Sequence, residues 1–325
     1  VTQDRTPVEA WFLDHGLPYF VPEERAAARA GLRPRRLAGL AFALLVLAAG
    51  AGLLAWSSDA WAAGPALWLS VTVLGLLAYA ATALHARPIL AFALSRTLGS
   101  VRFIAPMASR ALPLLLVFVT FLFVNAEAWE MTSNLPFGLL WFTVLLMFGL
   151  AVLFLLVRLP EEVDRVDDEV DDEFVVRACA GTPLEQASRE VAADPSIDPL
   201  EHAQVSGFER WNLILVLLVI QAVQVLLLSV TVFVFFMLFG SLVMETATQE
   251  SWTGRSDVGN APFLPQASLS LMKVSLFLAS FSGFYFTVSA VTDDTYRRQF
   301  FSVVESHLER AVGMRAVYVA TRSRP

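Results

Sequence analysis

The chain has 325 residues, of which 56% are apolar and only 16% charged, with a mean hydropathy of +0.61 and a formal net charge of −7. Ordinary soluble domains carry roughly 25% charged residues, so the composition excludes that class and points to a membrane. The single cysteine, Cys179, excludes an intrachain disulfide and a cysteine-built metal cluster, and the four histidines (His15, His85, His202, His307) show no HxxxH or HExxH spacing.

In chain order, VEAWFLDHG is a short amphipathic helix that ends at Gly16. It belongs to a segment, residues 1–36, that carries Arg5, Arg25, Arg29, Arg33, Arg35 and Arg36. Leu37–Ser57 is the first apolar span. At 21 residues it exceeds the 7–15 of a signal-peptide core, so it reads as a retained anchor. Pro65–Leu84 is the second span, and a third begins near Arg110. Leu135–Val157 is a run of 23 residues without a charge, roughly 34 Å as a helix and enough to cross the hydrocarbon core. The fifth span starts at Trp211 and runs to about Val243, long enough to tilt or to project beyond the lipid. The sixth is Leu269–Val291.

Between spans four and five, residues 158–210 contain PEEVDRVDDEVDDEFVV. Val163, Val166, Val170 and Phe174 recur there at helical spacing, so span four is predicted to continue as a helix beyond the membrane. The nine acids of that block (Glu161, Glu162, Asp164, Asp167, Asp168, Glu169, Asp171, Asp172, Glu173) lack the glycine-bearing spacing of a calcium loop and read as a solvated helix face, with docking to a basic protein partner as the other use. The proline-bearing stretch 180–205 reads as loop. In the tail, residues 292–325, the stripe Tyr296, Phe300, Phe301, Val304, Leu308 and Ala311 predicts an amphipathic helix.

Arginines fix the predicted orientation. They crowd the N-terminal segment, the second-to-third and fourth-to-fifth connections and the tail, whereas the three alternating loops hold only Arg255. The positive-inside rule then places both termini in the cytoplasm. Each of the alternating loops carries acid and tryptophan, and residues 115–165 and 226–298 share a loose pattern. Internal duplication and common membrane rules both account for it.

Polar groups inside spans are the candidates for chemistry. Counting about twenty residues inward from Arg110 places Asn125 and Glu127 in the outer half of the hydrocarbon, where an ionised carboxylate needs a mate or water. Lys273, the only lysine, falls at a similar depth in span six, and Glu245 ends span five, so an ion-paired cluster of Glu127, Glu245 and Lys273 is expected. Gln221, Gln224 and Thr231 share one face of span five; Lys273, Ser280 and Thr287 answer at heptad intervals on span six. These stripes either line a hydrated path or act as interhelical hydrogen-bond glue. Ser275, Ala279 and Gly283, four apart, favour close helix approach. No GxSxG, Walker or dinucleotide motif is present, and the longest loop is acidic, so neither an enzyme nor a nucleic-acid binder is expected, nor a cofactor or metal.

The stretches WFLDHGLPYFVPEERAAARAGLRPRRL and ASFSGFYFTVSAVTDDTYRR resemble a family of polytopic actinobacterial inner-membrane proteins of unassigned function. That resemblance implies a bacterial plasma-membrane location and contributes no site residues.

The expected fold is all-α: six transmembrane helices, residues 37–157 and 211–291, with amphipathic segments on the cytoplasmic side. The expected function is of transport class, an oligomeric ion channel or small-solute transporter, with Glu127, Glu245, Lys273, Gln221, Gln224 and Asn125 as ion-interacting candidates. The alternative is a non-transporting scaffold or accessory subunit of a cell-envelope complex. Expected partners are membrane lipids, further copies of the chain and an unspecified ion or solute.

Overall fold

The computed structural model is 85% helical and describes residues 6–57, 61–99, 117, 119–168, 170–194, 197, 199–261, 264–292 and 294–323. Among the described residues, five helices are long and apolar enough to cross a membrane: α3 (Pro34–Ser57), α4 (Gly64–Ala83), α7 (Phe137–Asp168), α11 (Gly207–Val243) and α13 (Leu269–Thr292). The sequence predicts six. The third predicted span begins in a stretch, residues 100–116, that lies outside the described residues; a helical turn follows over 119–123.

Helix α11 is the axis. It packs against α13, against α7 and against α5 (Arg87–Gly99). Two glycines set its distance from α13. A Cβ on Gly240 would strike Leu271 and press on Phe123, and one on Gly283 would collide with Oγ of Ser229. The small-residue stripe of the sixth predicted span thus serves contact with α11 rather than with a second copy at that position. Helices α3 and α4 form a hairpin that joins the bundle chiefly through α4 and α7. In both hairpin helices only 6% of the most apolar window is buried, and Phe42, Leu45, Leu53 and Leu54 of α3 are each about two-thirds exposed. Such faces are stable against acyl chains and not against water.

At one end of the bundle a cap forms from α6 (Ala126–Asn134), α12 (Thr246–Thr253) and the two-stranded antiparallel hairpin β1 (Asn260–Ala261) and β2 (Leu264–Ser268). Helices α6 and α12 pack on each other, with Trp129 edge-on to Trp252 at 6.2 Å. At the opposite end, the terminal face, lie α1 (Pro7–Asp14), α2 (Pro22–Gly31), α8 (Asp172–Cys179), α9 (Glu185–Ala192), α10 (Pro199–Ala203) and α14 (Asp294–Ser323), with α8 and α10 packed on α14.

Local chemistry explains these elements. A reciprocal Thr6–Glu9 capping box opens α1, and Gly16, at φ +72°, ends that segment in the left-handed region, where it also meets Phe92. Helix α7 continues past its apolar stretch to Asp168, with Pro160 inside it, and buries Val163 and Val166 as predicted; Val170 lies outside helix, and Phe174 is buried on the separate helix α8. Three acids of the adjoining block are paired within the chain. Arg158 reaches Glu161 and Glu162, Arg165 reaches Glu162 at 3.1 Å, and Arg210 reaches Asp164 at 2.8 Å.

The stretch read as loop, 180–205, is a correction: it holds α9 and α10. Its prolines do not oppose helix. Pro199 sits at the start of α10, and Pro183 precedes α9, positions where a missing N–H costs nothing. Ser188 and Val191 bury one face of α9 while Glu185 and Arg189 pair on the other at 2.6 Å.

The terminal face is tied to α11 at its first turns. Glu209, 7% exposed, accepts from Arg25 of α2 at 2.5 Å and from Arg315 of α14 at 2.7 Å, and Arg315 also donates to the His202 carbonyl. One turn on, fully buried Asn212 accepts from the Tyr19 amide and donates to the Gly16 carbonyl, both at 2.8 Å. Asn212→Leu would orphan two buried backbone groups. A loss of about 3 kcal/mol is expected, read as a lower unfolding midpoint in detergent and as faster proteolysis near residue 16.

Candidate functional site

The predicted polar residues separate into three places. Asn125 is the N-cap of α6, its side chain accepting from the Ala128 amide at 3.0 Å, and Glu127 stands exposed in that helix's first turn. Glu245 is the N-cap residue of α12 and is likewise exposed. Acids at helix starts complement the positive end of the helix dipole. The depth count from Arg110 assumed one unbroken helix. The chain instead turns at 124–125, and α6 runs as a separate helix in the cap.

Lys273, 9% exposed, does not join a carboxylate cluster. Its Nζ donates to the carbonyls of Ser133 (2.8 Å) and Leu135 (2.7 Å), closing the C-terminal end of α6. Arg255 also reaches the Ser133 carbonyl at 3.5 Å. Two cations thus converge on the negative end of one short helix, a favourable place for positive charge. Neither makes an ion pair among the described residues. Beside them, the buried hydroxyls of Thr132 and Ser133 have no hydrogen-bond partner.

Gln221 and Gln224 lie on the buried side of α11. Gln221 is fully buried with neither amide atom partnered, and the Gln224 carbonyl oxygen is also unpartnered. Gly283 against Val225 and Ser229 sets an antiparallel register that brings Gln221 level with Thr287 of α13. Thr287 spends its hydroxyl on the Gly283 carbonyl, Ser280 on Phe277, and Thr231, which is exposed, on Leu227. The hydroxyls of the two predicted stripes are therefore satisfied within their own helices, while the glutamines are not.

Two cavities open along α7. One, about 230 Å³, lies among α7, α11 and α13 and is lined by Trp141, Met147, Ala151, Ser229, Ala279 and Gly283, among others. The second, about 830 Å³, lies between the start of α7 and α4, at Ala66, Ser70, Pro136, Phe137 and Gly138. Trp141 and Leu276 line both. None of the six candidates from the sequence lines either cavity. Sequence reasoning missed Trp141 and Leu276 as lining residues because nothing distinguishes them from other apolar residues of a span. It noted Arg255 only as an orientation signal.

On the terminal face, His15, Phe92 and His307 meet where the α1 segment, α5 and α14 join, with His307 edge-on to Phe92 at 4.7 Å and 6.3 Å from His15. Burial, reinforced by Arg96, His15 and Arg310, pushes the His307 imidazole down from 6.5 to about 4. Burial likewise pushes the Cys179 thiol up to about 12.

Both shifts have measurable consequences. Below the ordinary value near 6.5 the unfolded chain takes a proton on His307 that the folded chain refuses until about 4. The stability present above pH 6.5 is therefore lost as pH falls across that window, and His307→Leu is expected to flatten the fall in unfolding temperature. Maleimide at pH 7.5 should leave Cys179 unlabelled in the folded protein and label it fully after denaturation. Comparison with protein-family models, curated proteins and solved structures finds no match to this chain.

Proposed function

We propose that this chain is a non-transporting membrane scaffold or accessory subunit of a cell-envelope complex, spanning a bacterial plasma membrane six times with both termini in the cytoplasm. The arginine distribution supports the orientation, since every cytoplasmic connection in that arrangement is arginine-rich and the opposite loops hold only Arg255. It puts the α6–α12 cap outside.

One observation carries the scaffold reading: the polar residues that a transport path would need are dispersed. Asn125 and Glu245 stand at helix starts, Lys273 closes a helix end, and the cavities along α7 are walled by apolar side chains instead. The broad terminal face and the exposed flank of the α3–α4 hairpin are the surfaces such a protein offers to cytoplasmic and membrane partners, further copies of the chain among them.

A second reading, an ion channel or small-solute transporter, is favoured by Gln221 alone. A buried amide with both ends unpaired costs a few kcal/mol unless water or a solute meets it. The two readings differ in Gln221→Leu. As a scaffold, the protein is expected to gain thermal stability from that change, and liposomes containing the wild type should leak potassium no faster than empty ones. Potassium flux above the empty-liposome rate that drops at least about tenfold in Gln221→Leu would replace the scaffold reading with transport.

A further inference from the structure

We infer that the groove along α7 is a binding site for a membrane lipid whose phosphate-bearing, anionic headgroup sits at Lys273 and Arg255. The site is independent of whether the protein transports anything; it requires only that the bundle spans a bilayer. Its apolar part is made of two adjoining cavities. The two cavities share Trp141 and Leu276, and together they follow α7 from Pro136 to Ala151, about 22 Å at the helical rise. One leaflet of hydrocarbon is about 15 Å thick, so the groove accepts a whole acyl chain. Its lining sets the small residues Ala151, Ala279 and Ser280 among larger apolar ones such as Trp141 and Phe148.

The polar end follows from chain continuity. Pro136 and Phe137, at the groove's mouth, directly succeed Leu135, whose carbonyl holds the Lys273 amine at 2.7 Å. Leu276 lies one helical turn below Lys273 on the same helix, so amine and groove share a face of α13. Both Lys273 and Arg255 reach the Ser133 carbonyl, which keeps the two cationic groups within about 6 Å of each other. Like charges at that separation, with main-chain carbonyls as their side-chain partners among the described residues, favour an anion between them. Two carbonyls take two of the amine's three donors and leave the third for a phosphate oxygen.

The test uses the full-length protein in vesicles of phosphatidylcholine carrying a trace of phosphatidylglycerol or phosphatidylcholine spin-labelled on the acyl chain. The fraction of label immobilised by the protein is read from the spectrum. Phosphatidylglycerol is expected to be retained over phosphatidylcholine, and Arg255→Gln to weaken that preference roughly fivefold to tenfold, as loss of one charge-assisted contact does. Arg255 is exposed, so this variant folds even if Lys273→Met, which uncaps α6, does not. Ser280→Phe, filling the groove, should release the immobilised chain of either lipid. Equal retention of both lipids with no response to Arg255→Gln overturns the headgroup site, and retention unaffected by Ser280→Phe overturns the groove. In detergent, inorganic phosphate that raises the unfolding temperature as much as phosphatidylglycerol does would reassign the site to a free anion.

Discussion

Water is absent from most of the volume this chain occupies, and each backbone group that leaves its helix must therefore find a partner in the protein. That constraint organises the molecule at both ends. Where α6 stops, Lys273 and Arg255 meet its last carbonyls. Where the N-terminal segment turns at Gly16 and Tyr19, the backbone is met by Asn212 of α11. Between these points the hydroxyls of Thr231, Ser280, Ser282 and Thr287 bond to carbonyls of their own helices, so they ask nothing of a neighbour. On α11 the Gln224 carbonyl oxygen and both amide atoms of Gln221 are unpartnered, and Gln221, unpaired at both ends, is the residue on which the two functional readings divide.

The charged groups of the terminal face follow a related logic. Glu209 is buried between two arginines that come from α2 and α14, segments near opposite ends of the sequence. A carboxylate in that position is strongly destabilising if either partner is lost, because it cannot be rehydrated in place. Acids on the extension of α7 are held by arginines on the same helix or at the start of α11. The histidine pair at His15 and His307 is held neutral by burial and by neighbouring arginines, and that face is accordingly sensitive to acid.

Much of the architecture was legible because lipid and helix geometry write directly into sequence. The predicted sixth span, Leu269–Val291, coincides within a residue with α13, and the helix ending at Gly16 appears with its left-handed glycine. The continuation of span four was readable from Val163 and Val166 because burial of an amphipathic face requires that spacing, whereas the break before α8, which carries Phe174, left no mark in the pattern. The site was not legible to the same degree. A depth count treats a span as one rod, and the break at residue 125 cannot be seen in composition. The partners of Lys273 are main-chain carbonyls, which every residue possesses and no side chain advertises. Carboxylates were the only acceptors visible to a sequence argument, so Glu127 and Glu245 were paired with a lysine that had no need of them. Helices α9 and α10 were hidden for another reason. Prolines count as breakers only inside a helix, and here they open one.

Helix α11 extends over 37 residues, about 55 Å, without an internal proline. It is gripped near its start by Glu209 and Asn212 and near its finish by Gly240 against Leu271. A rod anchored so far apart behaves as a strut. Its two anchor points fix the spacing between the arginine-lined base and the α6–α12 cap.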